Sequence, residues 1–382
     1  METEEKERKK EKITGDVNMK ILVIWRLLTV GGVNAGWRNR AIYLKKHGIT
    51  TEFLYCKDLG GMHMMEDVAQ VYLTKDKQEI NKIISDNKYD AIFVIDTSQA
   101  YDWLADVEYD GPIIIEARTP EITKLKRNLD GYKKITPQKF IVPTEYQKGV
   151  LSILLDKPYP IEVINNSTDI SFFRPLDDDE LNSETFPFPP QGKKIVAYIG
   201  RLDVRKNWRF LLKVADLVRK EREDIEFWVI GGDKSVEKDI FEEEWKRRGL
   251  TEIVKWFPVI PYQQMPSMYA KIKQSRGCLL GTTKSESFGN TFIEAMSCGV
   301  PVVAPSISSI PEIVVDGKTG CLFREEHVRG ATRQLYRVVD DQKFYDKLSK
   351  KARNRVVRNY SLSVCSQKYI ELLKELTNGG RQ

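Results

Sequence analysis

Two short stretches carry the residue types that do chemistry. In the first, Ser285-Glu-Ser-Phe-Gly-Asn-Thr-Phe-Ile-Glu294, a polar loop follows an apolar run ending near Leu280 and leads into a helix expected to start at Asn290 or Thr291. The free N–H groups and positive dipole end of such a helix bind hydroxyls or phosphate oxygens. Gly289 lets the backbone come close to a ligand. Glu286 before the helix and Glu294 one turn inside it are two carboxylates able to accept from separate sets of sugar hydroxyls. A second reading of Glu294 stays open, because Thr291-x-x-Glu294 also has capping-box spacing. In the second stretch, Tyr198-Ile-Gly200-Arg201-Leu-Asp-Val-Arg205-Lys206-Asn207, a strand ends in Gly-Arg and a lysine stands five residues on. Arg201 and Lys206 can present two cations to one anion, the arrangement a diphosphate requires. The alternative is two surface cations, and on that basis removing Lys206 would cost little stability.

The elements that must hold these residues follow from an alternation of short β-branched runs with longer amphipathic segments, which points to parallel βαβ units. Strands are expected at Lys20–Trp25, Thr51–Tyr55, Asp90–Ile95, Pro112–Ile115, Lys139–Val142 and Ile161–Ile164, with a helix near Asn34–Lys46 after the Gly31-Gly32 turn. Residues 174–192 carry four prolines and a run of acids and read as an interdomain linker. Alternation restarts at Lys194–Ile199 and continues through Glu226–Ile230, Val254–Phe257, Gly277–Leu280 and Val300–Ala304. The fold class expected is therefore α/β, with two successive doubly wound domains. Ligands in such sheets bind at the carboxyl ends of the strands near the switch in strand order, where both motifs fall.

Taken in order, Gly200-Arg201…Lys206 followed by Glu286-x₇-Glu294-Ala-Met-x-x-Gly299-x-Pro301-Val-Val resembles the retaining glycosyltransferases of family 4, the glycosyl transferases group 1. Further pieces are similar in sequence and order: Gly31-Gly32, Val142-Pro-Thr-Glu-Tyr-Gln-Lys148, Asn165-Asn-Ser-Thr-Asp169…Phe173-Arg-Pro175, Gly231-Gly232, and Pro311-Glu312-Ile313 through Gly320. The resemblance runs from Met19 onward and is tighter in the second half. It implies the GT-B fold, two Rossmann-like domains facing a central cleft: residues 19–175 on the acceptor side, 176–360 on the nucleotide-sugar side, and a last helix at about 361–378 crossing back. It implies that Arg201 and Lys206 hold the donor diphosphate, with Glu286 as the third catalytic residue. Glu294 would bind the ribose, and Gly32, Gly200, Thr291 and the backbone of Phe288, Gly289 and Asn290 would complete the donor site. The donor is expected to be a nucleotide sugar, with UDP as the base by family frequency. The acceptor is expected to be a glycan, a lipid-linked intermediate or a small molecule. No cofactor and no metal are expected, since no Asp-x-Asp motif accompanies the two cations.

One departure stands out. Many family members carry a histidine after the fourth strand of the first domain, whereas this chain reads Ile115-Glu116-Ala117-Arg118-Thr119-Pro120 there. Of His47, His63 and His327, none falls at that place. Glu116 or Arg118 is the expected substitute, as an acceptor or donor-sugar contact. A catalytically inactive nucleotide-sugar-binding or assembly protein is the alternative that this departure favours.

Composition removes other classes. In 382 residues, 41% hydrophobic and 30% charged content describe a globular chain long enough for two domains. No apolar run approaches the ~20 residues of a membrane helix. Five scattered cysteines without C-x-x-C spacing argue for a reducing, cytoplasmic setting. Residues 1–18 have mixed charge and no apolar core, so they read as a solvated tail and not a signal peptide. A dinucleotide oxidoreductase is disfavoured because the first turn reads Gly31-Gly-Val-Asn-Ala-Gly36, not G-x-G-x-x-G, and Glu52 begins the second strand when a ribose-binding acid should end it. An epimerase of this architecture would need more histidine, and a phosphorylase a longer chain. The net charge of +6 is spread out, and no nucleic-acid-binding module appears. Lys124, Lys126, Arg127, Lys133, Lys134 and Lys139, against Asp130, form one basic segment. It reads either as a solvated helix face or as a peripheral contact with an anionic acceptor or the inner membrane surface.

Overall fold

The computed structural model describes residues 18–29, 31–181 and 187–378. The charged tail up to residue 17, and the middle of the linker at 182–186, lie outside the described residues.

The apolar runs form two parallel sheets. The first comprises β1 (Met19–Trp25), β3 (Ile49–Tyr55), β5 (Val71–Leu73), β6 (Ala91–Ile95), β7 (Ile113–Glu116), β8 (Lys139–Val142) and β9 (Ile161–Val163), in the order β5-β3-β1-β6-β7-β8-β9. The second comprises β10 (Lys194–Ile199), β11 (Ile225–Ile230), β12 (Val254–Phe257), β13 (Cys278–Leu280), β14 (Val302–Pro305) and β15 (Cys321–Phe323), in the order β12-β11-β10-β13-β14-β15. The remaining strands, β2 (Leu27–Leu28) and β4 (Lys57–Asp58), pair with each other beside the first sheet. Central strands such as β6 and β11 are buried along their whole length, because helices cover both faces of each sheet. The α/β, doubly wound expectation agrees with this architecture.

Both sheets reverse their strand order at one place, between β1 and β6 in the first and between β10 and β13 in the second. Gly31-Gly32 follows β1 and Gly200-Arg201 follows β10, so both glycine turns stand at the switch points. The last helix, Leu362–Asn378, packs on the first helix, Gly32–Lys45, and its Tyr369, Ile370, Leu372 and Leu373 complete the core under the first sheet. Among the described residues no helix is long and apolar enough to cross a membrane.

Candidate active site

The second-domain site is built from two laced loops. At Gly200, φ is +155, and the aliphatic stem of Lys206 lies within 3.6–3.7 Å of where a Cβ would stand. Asp203 ties the loop together, accepting from the Lys206 N–H at 2.7 Å and from Arg201 Nε at 2.9 Å. The loop after β13 is bonded to this one: Thr282 Oγ1 donates to the Lys206 carbonyl at 2.6 Å, and Thr283 Oγ1 to the Arg205 carbonyl at 3.1 Å. These bonds fix Lys206 against Glu286, with Nζ to Oε2 at 2.8 Å, while Arg205 Nη1 reaches the same oxygen at 3.4 Å. The side chains of Lys206 and Glu286 are only 19% and 11% exposed, so Lys206 is not the surface cation that one reading of the sequence expected. Burial pushes the Glu286 carboxyl up, but Lys206 and Arg205 outweigh it and hold the group below the ordinary carboxylate range.

Arg201 is placed differently. Its side chain is 66% exposed and turned to Asp203, so the two cations brought together are Arg205 and Lys206. Spacing alone could not distinguish the two arginines, because both flank Asp203.

The helix Asn290–Ser297 starts after Gly289, whose φ of +97 and close approach to Phe292 exclude a side chain. Thr291 therefore lies inside the helix and not at its cap, and the capping-box reading of Glu294 does not hold. Glu294 instead accepts from the Tyr269 hydroxyl at 3.2 Å. Phe288 is buried against Tyr360, which leaves only its backbone for a ligand. Burial raises the Glu294 carboxyl from 4.5 to about 7, with Tyr269 and Lys206 opposing. A carboxyl raised in the folded state contributes stability below its unfolded value and loses it as pH climbs through the folded one. Glu294→Gln is accordingly expected to gain melting temperature on the wild type as pH rises from 5 to 8. A difference between the two that stays constant across that range would contradict this environment.

The two domains meet across the cleft at Asn290. Its side-chain oxygen accepts from Asn166 Nδ2 at 2.8 Å, and its nitrogen lies 3.4 Å from the Gly32 carbonyl. A Cβ on Gly32 would stand 2.6 Å from that nitrogen, so a side chain there would displace the Asn290 amide. Nearby, Glu312 of the second domain accepts from the N–H groups of Glu145 and Tyr146 at 2.9 and 2.6 Å, covering the start of the helix Glu145–Leu154.

Glu116 and Arg118 do not act alike. Glu116 is fully buried, which corrects the expectation that it touches substrate. It accepts from Trp37 Nε1 at 3.3 Å, Tyr369 Oη at 2.8 Å and Arg118 Nε at 2.9 Å. Arg118 also donates to Asn166 and to Tyr369, each at 2.5 Å, and lines a small pocket with Gly32 and Asn290. Sequence reasoning missed Trp37 and Tyr369; only their burial among apolar positions of amphipathic helices hinted at them. The basic segment is largely neutralised. Lys124 pairs with Glu121, Lys133 with Asp156, Lys134 with Asp102, and Lys139 with Glu162 and Glu375, which removes most of the charge a membrane contact would use.

Comparison with known proteins bears on the fold and on the second domain. Residues 182–355 match the family described as glycosyl transferases group 1. Over 196 residues the chain is 28% identical to a D-inositol 3-phosphate glycosyltransferase of Segniliparus rotundus, covering 50% of this chain and 42% of that protein. Over 217 residues it is 25% identical to a probable sucrose-phosphate synthase of Thermosipho melanesiensis, covering 56% and 47%. The chain thus spans under half the length of these relatives. Among solved structures it superposes on Anabaena HepE in complex with UDP and glucose, with TM-score 0.81, 18% identity, and 94% and 100% of the two chains covered. The sucrose-phosphate synthase of Thermosynechococcus elongatus gives TM-score 0.76 at 18% identity, with the same coverage. The fold is that of the GT-B glycosyltransferases.

Proposed function

We propose that this chain, with its GT-B fold and a second domain similar to the glycosyl transferases group 1, is a retaining glycosyltransferase of family 4. It moves a sugar from a nucleoside diphosphate donor to an acceptor hydroxyl. The observation that carries the reading is the convergence of Lys206, Arg205 and Glu286 at the β10/β13 switch point, beside the helix whose Asn290 meets Gly32 across the cleft. Lys206 and Arg205 meet the charge that develops on the leaving diphosphate, a preorganised electrostatic role. Arg201, at the carboxyl end of β10, adds a third cation near the same anion. Glu286 and the first N–H groups of the helix Asn290–Ser297 hold the donor sugar, and Glu294 accepts from the ribose hydroxyls. The acceptor oxygen bonds to the anomeric carbon as the bond to phosphate breaks on the same face. The hydroxyl proton passes to the departing phosphate oxygen, so no chain nucleophile, cofactor or metal is called for. UDP is the favoured base, in keeping with the UDP complex of HepE. Five free cysteines fit a reducing, cytoplasmic setting.

The test is a screen of purified protein against UDP-, GDP-, ADP- and dTDP-sugars, with NAD as control. Thermal stabilisation by one nucleotide sugar, slow release of its nucleotide, and a product of unchanged anomeric configuration are the expected results. Inversion would remove the retaining assignment. Silence toward every donor would favour an inactive binding or assembly protein.

A further inference from the structure

Arg40 takes no part in the chemistry above, yet it is buried to 2% exposure beside the cleft. Its guanidinium lies over both the Trp37 and the Tyr369 rings, which meet edge-on, with ring centroids at 4.5 and 3.9 Å. Its Nε is buried without a hydrogen-bond partner, and among the described residues no carboxylate lies within ion-pair distance of it. The nearby acid, Glu116, is already taken by Arg118, Trp37 and Tyr369. A buried cation without a counter-charge is unfavourable unless something supplies one.

A second observation comes from the same helix. Gly32, Gly36 and Arg40 recur every four residues and share one face, the face that lines the small pocket shared with Arg118, Asn166 and Asn290. Glycine inside a helix is less favourable than alanine, and a close neighbour is one reason for keeping it. Gly36 has none, since a Cβ there would meet nothing within 4 Å. Its missing side chain keeps the space above Arg40 open.

From these two features we infer that the pocket receives an anionic group of the acceptor, a phosphate monoester or a carboxylate, with Arg40 as its counter-charge and Arg118 at its side. The pocket is too small for a sugar ring. It is walled mainly by the first domain, whereas the cations assigned to the donor diphosphate belong to the second. This assignment of the anion to the acceptor rests on the transferase reading, and it narrows the acceptor to a charged molecule whose anchor lies beside the reacting cleft.

Isothermal titration of the full chain with inorganic phosphate, in the absence and presence of UDP, tests it. The wild type should bind one phosphate with UDP bound. Arg40→Gln should weaken that binding at least tenfold while leaving UDP affinity within twofold. Gly36→Leu keeps Arg40 and its stacking, favours the helix and fills the pocket, so it should fold and lose phosphate to the same degree. Titration with acetate separates the two sources, since the tighter probe identifies a phosphorylated or a carboxylated acceptor. Phosphate affinity unchanged in Gly36→Leu would overturn the proposal, as would phosphate binding that UDP abolishes. Arg40-dependent phosphate binding by a protein that binds no nucleotide would sink the transferase reading and keep the anion site.

Discussion

Replacing Lys206 with alanine is expected to lower sugar-transfer turnover by about 10²–10³-fold, the usual effect of deleting one preorganised group that meets developing charge. The same change also destabilises the fold, because Lys206 is the short-range partner of a buried carboxylate. Without it Glu286 keeps, among the described residues, only the Arg205 ion pair, at 3.4 Å. Breaking a largely buried pair by removing one side costs about 3 kcal/mol. Turnover measured well below the melting temperature, beside a urea unfolding curve, separates the two effects. Lys206→Ala combined with Glu286→Gln should recover much of the stability, since the buried carboxylate is gone and Arg205 keeps its bond to the Ser285 carbonyl at 3.0 Å, and none of the turnover. Full turnover in the single variant at a temperature where it is folded would remove Lys206 from the reaction.

Glu116→Ala carries the largest expected loss of stability, about 3–5 kcal/mol. The substitution leaves the buried Arg118 guanidinium without its carboxylate and deprives the buried Trp37 N–H and Tyr369 hydroxyl of their acceptor. Tyr369→Phe removes one hydroxyl from the same network, keeps the ring stacked on Arg40, and should cost about 1 kcal/mol. A cycle pairing Glu116→Ala with Arg118→Met should fall well short of additivity, because the double variant no longer leaves Arg118 buried without its carboxylate. Denaturant midpoints read all three. A Glu116→Ala protein unfolding at the wild-type midpoint would mean that the carboxyl is not the counter-charge its geometry makes it.

The strands were readable because burial on both sheet faces leaves uninterrupted β-branched runs, as in Ala91–Ile95. The short edge strands Val71–Leu73 and Cys321–Phe323 were not, having three residues each and no such run. At the site, Lys206, Glu286 and Glu294 were legible from type and spacing. The choice between Arg201 and Arg205 was not, since it depends on which way Asp203 draws its neighbour. Nor was the cap at Gly289: Thr291-x-x-Glu294 has the right letters, but a left-handed glycine two residues earlier starts the helix first. The grouping of Trp37, Arg40, Glu116, Arg118 and Tyr369 joins residues more than 300 positions apart, a separation that no local pattern encodes.

That long-range grouping also dictates an order of events during synthesis. Leu362–Asn378 supplies the apolar side chains that close the face of the first sheet, together with the hydroxyl that bonds Glu116. At 5–20 residues per second, roughly ten to forty seconds separate the emergence of β9 from that of this helix. Throughout that interval the nascent first domain has its strands but not its lid, and Trp37 and Phe93 lie open to water or to chaperones. The first half of the chain is thus finished last, and a released chain ending near residue 360 would carry a complete second domain beside an unfinished first one.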